Sequence, residues 1–88
     1  MRAGSLHVEE AFGTVLRRLR QERGLSQEEL AFESGLNRQF VSLLELGERS
    51  PSLGSLYKLA RGLGLSGSEL LAQLEIHERG ESKSRRRR

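Results

Sequence analysis

Residues 36–44, LNRQFVSLL, combine polar side chains that suit DNA bases with apolar side chains that suit a protein core. The candidates for chemistry are Arg38, Gln39 and Ser42. An arginine fork can donate two hydrogen bonds to O6 and N7 of guanine, and a glutamine amide pairs with adenine. Ser42 lies one helical turn after Arg38 and can reach a base or a phosphate. These residue types favour DNA recognition.

Two short helices, within residues 26–46, must position these side chains. The chain breaks at Ser34-Gly35-Leu36, where glycine tolerates the positive φ that a tight turn needs. Ala31 is small enough for the two helices to approach closely. Four apolar residues are placed to pack the second helix on the body: Leu30, Leu36, Val41 and Leu44. Arg38, Gln39 and Ser42 then point outward at the end of the helix that touches bases in helix-turn-helix proteins.

Breakers and caps predict an all-α fold of five helices. The first spans Val8 to Arg23 and ends at Gly24. Helix two begins near Gln27 behind a capping box and stops before Gly35, and helix three runs from an N-cap at Asn37 to about Leu46. Helix four has a Ser52 cap and ends around Gly62 to Gly64. A second capping box opens helix five, which we expect to end near Glu75. The boxes pair Ser26 with Glu29 and Ser66 with Glu69.

The charge of the chain is unevenly distributed. The net charge is +3, but Lys83 and Arg85–Arg88 supply five positive charges, so residues 1–82 carry −2, the difference between these numbers. A basic face can still bind phosphate because charges act locally, and Arg17, Arg18, Arg20 and Arg23 crowd the first helix. We predict a flexible N-terminus over 1–7, a DNA-binding domain over 8–76 and a disordered basic tail over 77–88. The tail can add salt-sensitive affinity for phosphates.

Several classes of function find no support in the sequence. There is no cysteine, no carboxylate pair or nucleophile with a base, and no spacing of metal ligands. We therefore expect no enzyme, metal or cofactor, and no effector site for a small molecule is evident. No apolar run reaches the length of a signal peptide or membrane span, so we expect a cytoplasmic protein with no membrane partner.

The segment from Phe12 to Leu74 resembles the Xre/Cro/C1 family of helix-turn-helix regulators. The resemblance rests on RRLRQERGLSQEELA, Gly35, the LNRQFVS run, ELGER and the PSL that follows Ser50. The LNRQFVS run is also similar to the controller proteins of restriction-modification systems. The family implies a five-helix fold of the phage (lambda) repressor type.

The resemblance also implies roles for single residues. It assigns base reading to Arg38, Gln39 and Ser42. Leu43 departs from the family pattern, because some relatives have a polar side chain at this position, but an apolar side chain can still read a thymine methyl group. It assigns phosphate contacts to Gln27, Asn37 and Arg49. Phenylalanine at such a position is more often a packing residue, but the ring of Phe40 can lie against a thymine methyl group or the sugar-phosphate backbone, and we count it with the phosphate contacts. In this family, a buried pair matching Arg20 and Glu45 ties helix one to helix three, so the resemblance makes these two residues structural.

A homodimer is expected because one reading helix covers only a few base pairs, whereas specific binding commonly uses two half-sites about 34 Å apart. The apolar residues over 63–76 predict the interface: Leu63, Leu65, Leu70, Leu71, Leu74 and Ile76. The alternative is that these leucines only close the monomer core.

Two hypotheses about function follow. The first is a sequence-specific transcriptional regulator, a repressor or controller, that binds a palindromic operator in double-stranded DNA as a homodimer. The second is an antitoxin-like or protein-interaction helical module whose binding to DNA is secondary.

Overall fold

The computed structural model describes the backbone of residues 7–87 and the side chains of residues 7–80. Over this range the chain forms five α-helices and no strand, which confirms the predicted all-α class. The helices are α1 (Val8–Glu22), α2 (Gln27–Ser34), α3 (Arg38–Glu45), α4 (Leu53–Gly62) and α5 (Gly67–Arg87). None of the helices in the described range combines the length and the apolar character that crossing a membrane requires.

One leucine-rich core holds the helices together. α1 packs on α3 and α5, and α4 packs on α2 and α5, so that the short pair α2 and α3 is supported from behind. The largest side chains that are fully enclosed are Leu16, Leu30, Leu44, Leu59, Leu70, Val15 and Val41. Leucine suits this packing because it fills space in few rotamers and favours helix.

The predicted caps fix where the helices begin. The Ser26 hydroxyl accepts from the Glu29 amide, and the Glu29 carboxylate accepts from the Ser26 amide, which confirms the capping box of α2. Ser66 and Glu69 make the same two bonds at α5. The Ser52 hydroxyl caps α4 by accepting from the amide of Ser55. Each bond satisfies an amide that has no partner within its helix.

Two glycines set the positions of α2 and α3. Gly35 has φ +67° and ends α2 in the left-handed conformation, as the sequence predicted. The sequence did not predict a role for Gly13. A Cβ atom there would lie 2.5 Å from the carbonyl oxygen of Leu44 and 2.6 Å from that of Glu45. Only glycine therefore allows α1 to approach the end of α3 this closely.

α5 is longer than the sequence indicated. We expected it to end near Glu75 and residues 77–88 to be disordered, but the helix continues to Arg87. Beyond Glu75 the chain contains no proline, and Gly80 is the single strong helix breaker. A helix already nucleated on a core gains one hydrogen bond for each residue it adds. Of the predicted flexible segment 1–7, residues 1–6 lie outside the described residues, as does Arg88.

Half of the predicted dimer interface belongs to the monomer core. Leu63, Leu70 and Leu74 are buried among the helices of their own chain, and Leu65 is partly buried against the same core. The burial of these three leucines agrees with the alternative, that they close the monomer core, and a role for the set in binding a second copy stays a prediction. Leu71 and Ile76 are exposed at 43% and 53%.

Candidate nucleic-acid interface

The eight residues of α3 divide into an inner and an outer side. Val41, Leu44 and Glu45 are buried against the other helices. Arg38 and Gln39 are exposed at the start of the helix. Residues four apart on a helix share a side, so Ser42 continues the side of Arg38, and Leu43 continues that of Gln39. Ser42 and Leu43 are both partly buried.

The structure brings the four predicted base-reading residues onto one surface. Among the described residues, the side chains of Arg38 and Gln39 make no hydrogen bond or ion pair. Their donors and acceptors are therefore left to water or to a ligand. An arginine and a glutamine side by side present the two side chains that recognise purines most directly.

Asn37 fixes the start of this surface. Its side-chain oxygen accepts a hydrogen bond from the Gln39 amide at 2.7 Å, so it is the N-cap of α3. The cap occupies the oxygen and leaves the amide NH₂ group as a donor. Asn37 can therefore cap the helix and also donate to a phosphate, the role that the resemblance implies.

Phe40 and Arg49 are in contact, although nine positions separate them in the sequence. The guanidinium carbon of Arg49 lies 5.5 Å from the centroid of the Phe40 ring, which is a cation–π geometry. Phe40 is partly buried and packs against the core. Both were predicted as phosphate contacts. In the structure, the ring supports the arginine beside the outer side of α3.

The Glu45 cluster lies on the inner side of α3. We use this name for Glu45 with Arg17, Arg20 and Gln27. Glu45 is buried, and Arg20 binds it with two nitrogens, Nε at 2.6 Å and Nη2 at 3.0 Å. A third nitrogen of Arg20 donates to the carbonyl oxygen of Leu25 at 2.9 Å. Bidentate pairs of this kind fix orientation as well as charge, so α1 and α3 are held in one relative position.

Gln27 and Arg17 complete the cluster in a way that sequence reasoning missed. The Gln27 amide donates to Oε1 of Glu45 at 3.0 Å, and Nε of Arg17 lies 3.5 Å from the same oxygen. Gln27 was predicted as a phosphate contact, but here its amide is directed at α3. Arg17 stands three residues before Arg20 on α1, and this spacing was the available signal, since it places both on one face.

The surroundings of Glu45 determine its charge. Burial raises the pKa of the carboxyl group, but the hydrogen bonds from Arg20 and Gln27 and the charges of Arg20 and Arg17 lower it more, so the pKa lies below its usual value. The hydrogen bond to Glu45 in turn raises the pKa of Arg20, against the effect of its own burial. Both groups are therefore ionised at neutral pH, and the cluster is a charged interior contact.

Most arginines of α1 are used within the fold. Arg23 donates through Nε to the carbonyl oxygen of Leu63, which ties α1 to the end of α4. Arg18 binds Glu22 at 3.2 Å and the side-chain oxygen of Gln73 on α5 at 3.1 Å. With Arg17 and Arg20 in the Glu45 cluster, all four of these arginines have a partner in the fold, although the side chains of Arg17 and Arg18 remain exposed at 50% and 43%.

A protein-family model described as helix-turn-helix matches residues 16–70, from the middle of α1 to the first turn of α5. The chain belongs to this helix-turn-helix family. The matched range contains α2, the Gly35 turn and α3, so it includes the residues on which the predicted resemblance rested, and that prediction is confirmed.

Known helix-turn-helix proteins extend the likeness. The chain is 48% identical over 59 residues to an uncharacterized HTH-type transcriptional regulator, y4dJ, of Sinorhizobium fredii, covering 67% of this chain and 77% of the relative. The crystal structure of the restriction-modification controller protein C.AhdI from Aeromonas hydrophila matches with 48% identity and a TM-score of 0.68, covering 70% of this chain and 94% of that one.

A further solved structure includes DNA. It is the restriction-modification controller protein C.Esp1396I, a tetramer in complex with its natural 35 base-pair operator. This chain matches it with 28% identity and a TM-score of 0.75 over 81% of its own length and 93% of that chain. The shared helix-turn-helix fold gives α2 and α3 the arrangement that DNA-binding domains use to place a helix in the major groove.

Proposed function

We propose that this chain is a sequence-specific transcriptional regulator that binds a palindromic DNA operator as a homodimer and reads bases with the outer side of α3. The observation that carries the proposal is the pairing of Arg38 and Gln39. They are exposed, and their side chains bond to no other residue that the structure describes, at the start of a helix whose opposite side is packed on the core. The proteins that this chain resembles include two restriction-modification controllers, C.AhdI and C.Esp1396I.

The contacts divide into reading and holding. Arg38 and Gln39 read purines, and Ser42 and Leu43 extend the reading surface by one turn, with Leu43 against a thymine methyl group. Arg49, supported by the Phe40 ring, and the free NH₂ of Asn37 bind phosphates on either side of α3. Gln27 donates one N–H to Glu45 and has a second for a phosphate.

Dimerisation is assigned to an apolar strip on α4 and α5, formed by Leu53, Tyr57 and Leu71. Leu53 and Tyr57 lie four residues apart on α4 and are exposed at 71% and 56%. The Tyr57 ring packs so closely on Gly67 that a Cβ there would collide with it. Leu71 lies four residues after Gly67 on the same face of α5. The three side chains thus form one continuous surface for a second copy.

Ile76 does not share this strip. It lies five residues after Leu71, which turns its direction by about 140° around α5. A two-fold interface that uses Leu71 therefore leaves Ile76 outside. Occupation of a promoter by such a dimer blocks polymerase without any further surface, so repression is the action that these elements support.

DNA selected from a random pool, followed by fluorescence anisotropy, tests the reading surface. We expect a palindromic site. Arg38→Ala should weaken binding by about 1–3 kcal/mol and relax the preference at one base pair of each half-site. The matched control is Arg79→Ala, which removes the same charge from the exposed side of α5 and should leave the base preference unchanged. Equal effects of the two variants would contradict base reading by Arg38.

Sedimentation of two variants tests the strip. Leu71→Asp and Ile76→Asp add the same charge at exposed positions of one helix. We expect Leu71→Asp to be a folded monomer with weakened DNA binding, and Ile76→Asp to remain dimeric. A dimeric Leu71→Asp protein, with an unchanged circular dichroism spectrum, would exclude the strip as the interface.

A further inference from the structure

The α2 outer face is exposed in the part of the chain that the structure describes. We use this name for Glu28, Glu29, Phe32 and Glu33, which lie opposite the buried Leu30, Ala31 and Ser34. Phe32 is exposed at 83%. The four residues of the face and Ser26 line one shallow depression. A large aromatic ring in the middle of an exposed helix face adds nothing to this core, so the ring is available to a binding partner.

The chemistry of this face matches a guanidinium group. An arginine attaches to an aromatic ring through its flat face and to carboxylates through its N–H groups. Glu29 already closes the cap of α2, which leaves Glu28 and Glu33 to accept hydrogen bonds. Within the same molecule, Arg49 over the Phe40 ring shows that this chain uses the geometry. A lysine ammonium fits less well because it lacks the planar surface.

The chain itself contains a ligand of this kind in Arg85–Arg88. These residues supply four positive charges, whereas residues 1–82 carry a net charge of −2, the +3 of the whole chain less the five of Lys83 and Arg85–Arg88. The two parts of the molecule are therefore complementary in charge.

A copy cannot bind its own segment while α5 is helical. Leu74 is the last residue of α5 in the core, and thirteen further residues to Arg87 extend the helix by about 20 Å. The molecule is accordingly elongated, with extents of 42 × 21 × 20 Å. α2 packs against α3 and α4, whereas the last residues of α5 extend beyond the packed helices.

We propose that the α2 outer face binds the arginine-rich segment 85–88 of a second copy, with a guanidinium over the Phe32 ring and between Glu28 and Glu33. This contact joins two different surfaces, so it can link one dimer to the next, whereas a two-fold interface joins only two chains. It does not depend on DNA binding and can be tested without DNA.

Titration followed by NMR tests the contact directly. The protein is the full chain with R85Q/R86Q/R87Q/R88Q, and the probe is a peptide of residues 81–88, ESKSRRRR. We expect the amide shifts to concentrate on residues 28–33. A peptide with four lysines in place of the arginines should bind several-fold more weakly. Shifts elsewhere, no shifts, or equal affinity for the lysine peptide would overturn the proposal.

Variants of the same full-length protein separate the ring from general charge. Phe32→Ala should weaken the peptide by about two- to fivefold, the value of a cation–π contact at an exposed site, and leave the fold intact. E28Q/E33Q should weaken it further, while Glu75→Gln, an exposed acid on α5, should not.

The wild-type chain should also form species larger than a dimer at low salt, and Phe32→Ala should reduce them. The alternative partner of the arginine segment is DNA. If R85Q/R86Q/R87Q/R88Q changed only the salt dependence of DNA binding and left self-association unchanged, the contact between copies would be refuted.

Discussion

The two sides of α3 carry similar polar groups, but those on the inner side are bonded within the fold and those on the outer side are exposed. On the inner side, Glu45 is buried and accepts from Arg20 and Gln27. On the outer side, Arg38 and Gln39 are exposed and bond to no other described residue. A buried charge whose partners lie in the fold contributes to the fold, and an exposed group without partners contributes to binding. Inner substitutions should therefore change the free energy of unfolding, and outer ones the affinity for DNA.

Removal of the inner carboxylate should have the largest effect. Glu45→Ala leaves the Arg20 guanidinium, whose side chain is 12% exposed, without its partner. Breaking a buried pair from one side costs about 3–5 kcal/mol, so the free energy of unfolding in urea should fall by that amount. Arg17→Ala is the control, because it removes a half-exposed member of the same cluster and should cost less than about 1 kcal/mol. Similar costs for the two variants would erase the difference between the sides.

The closeness of α1 and α3 supplies a second test on the inner side. Gly13→Ala places a methyl group within 2.5–2.6 Å of the carbonyl oxygens of Leu44 and Glu45. Those atoms belong to the backbone and cannot rotate away, so we expect a loss of about 1–3 kcal/mol in the free energy of unfolding.

Gly54→Ala is the matched change for that test. A Cβ at Gly54, in the first turn of α4, meets nothing closer than 3.9 Å. Alanine in a helix is favoured over glycine by about 0.5–1 kcal/mol, so this variant should be as stable as the wild type or more so. A stable Gly13→Ala protein would mean that α1 and α3 can separate, and the inner side would then be less rigid than its contacts indicate.

The sequence predicted local features well because their causes are local. Ser26 with Glu29, the N-cap at Asn37 and the turn at Gly35 each follow from residues within one helical turn, and the structure places all of them as predicted. The residues on the outer side of α3 could be predicted for the same reason, since helical spacing alone assigns them to one face.

Features that depend on distant contacts were harder to predict. Leu70 and Leu71 are neighbours of one residue type, yet one is fully buried and the other 43% exposed. The packing of α5 against both α1 and α4 decides between them. The arginines of α1 present the same difficulty, because composition suggested a phosphate-binding face before Leu63 and Gln73 were known to be their partners. Gly13 has no local role that could have revealed its contact with α3.

Protonation of Glu45 in acid should remove its contribution to the free energy of unfolding, which tests the role of charge on the inner side of α3. The pKa of Glu45 is lowered in the folded protein from an ordinary value of 4.5, so its contribution to stability is complete above that value and is lost as the pH falls through the lower, native pKa. Glu45→Gln removes this titration. The difference in unfolding free energy between the wild type and Glu45→Gln should be constant from pH 7 to about pH 5 and shrink below it. A difference that persists at pH 2 would show that charge is not what Glu45 contributes.

The smallest effect should come from the boundary between the sides, where Phe40 packs on the core and supports Arg49. Arg49→Ala should weaken binding to all DNA sequences alike and reduce the slope of log K against log salt by about 1. Phe40→Leu keeps an apolar residue but removes the ring, so affinity should fall by about 0.5–1 kcal/mol. In the double variant, the loss should not exceed that of Arg49→Ala, because the ring acts through the arginine. Additive losses would instead show that Phe40 contacts the DNA by itself, so that it would count as a residue of the outer side of α3.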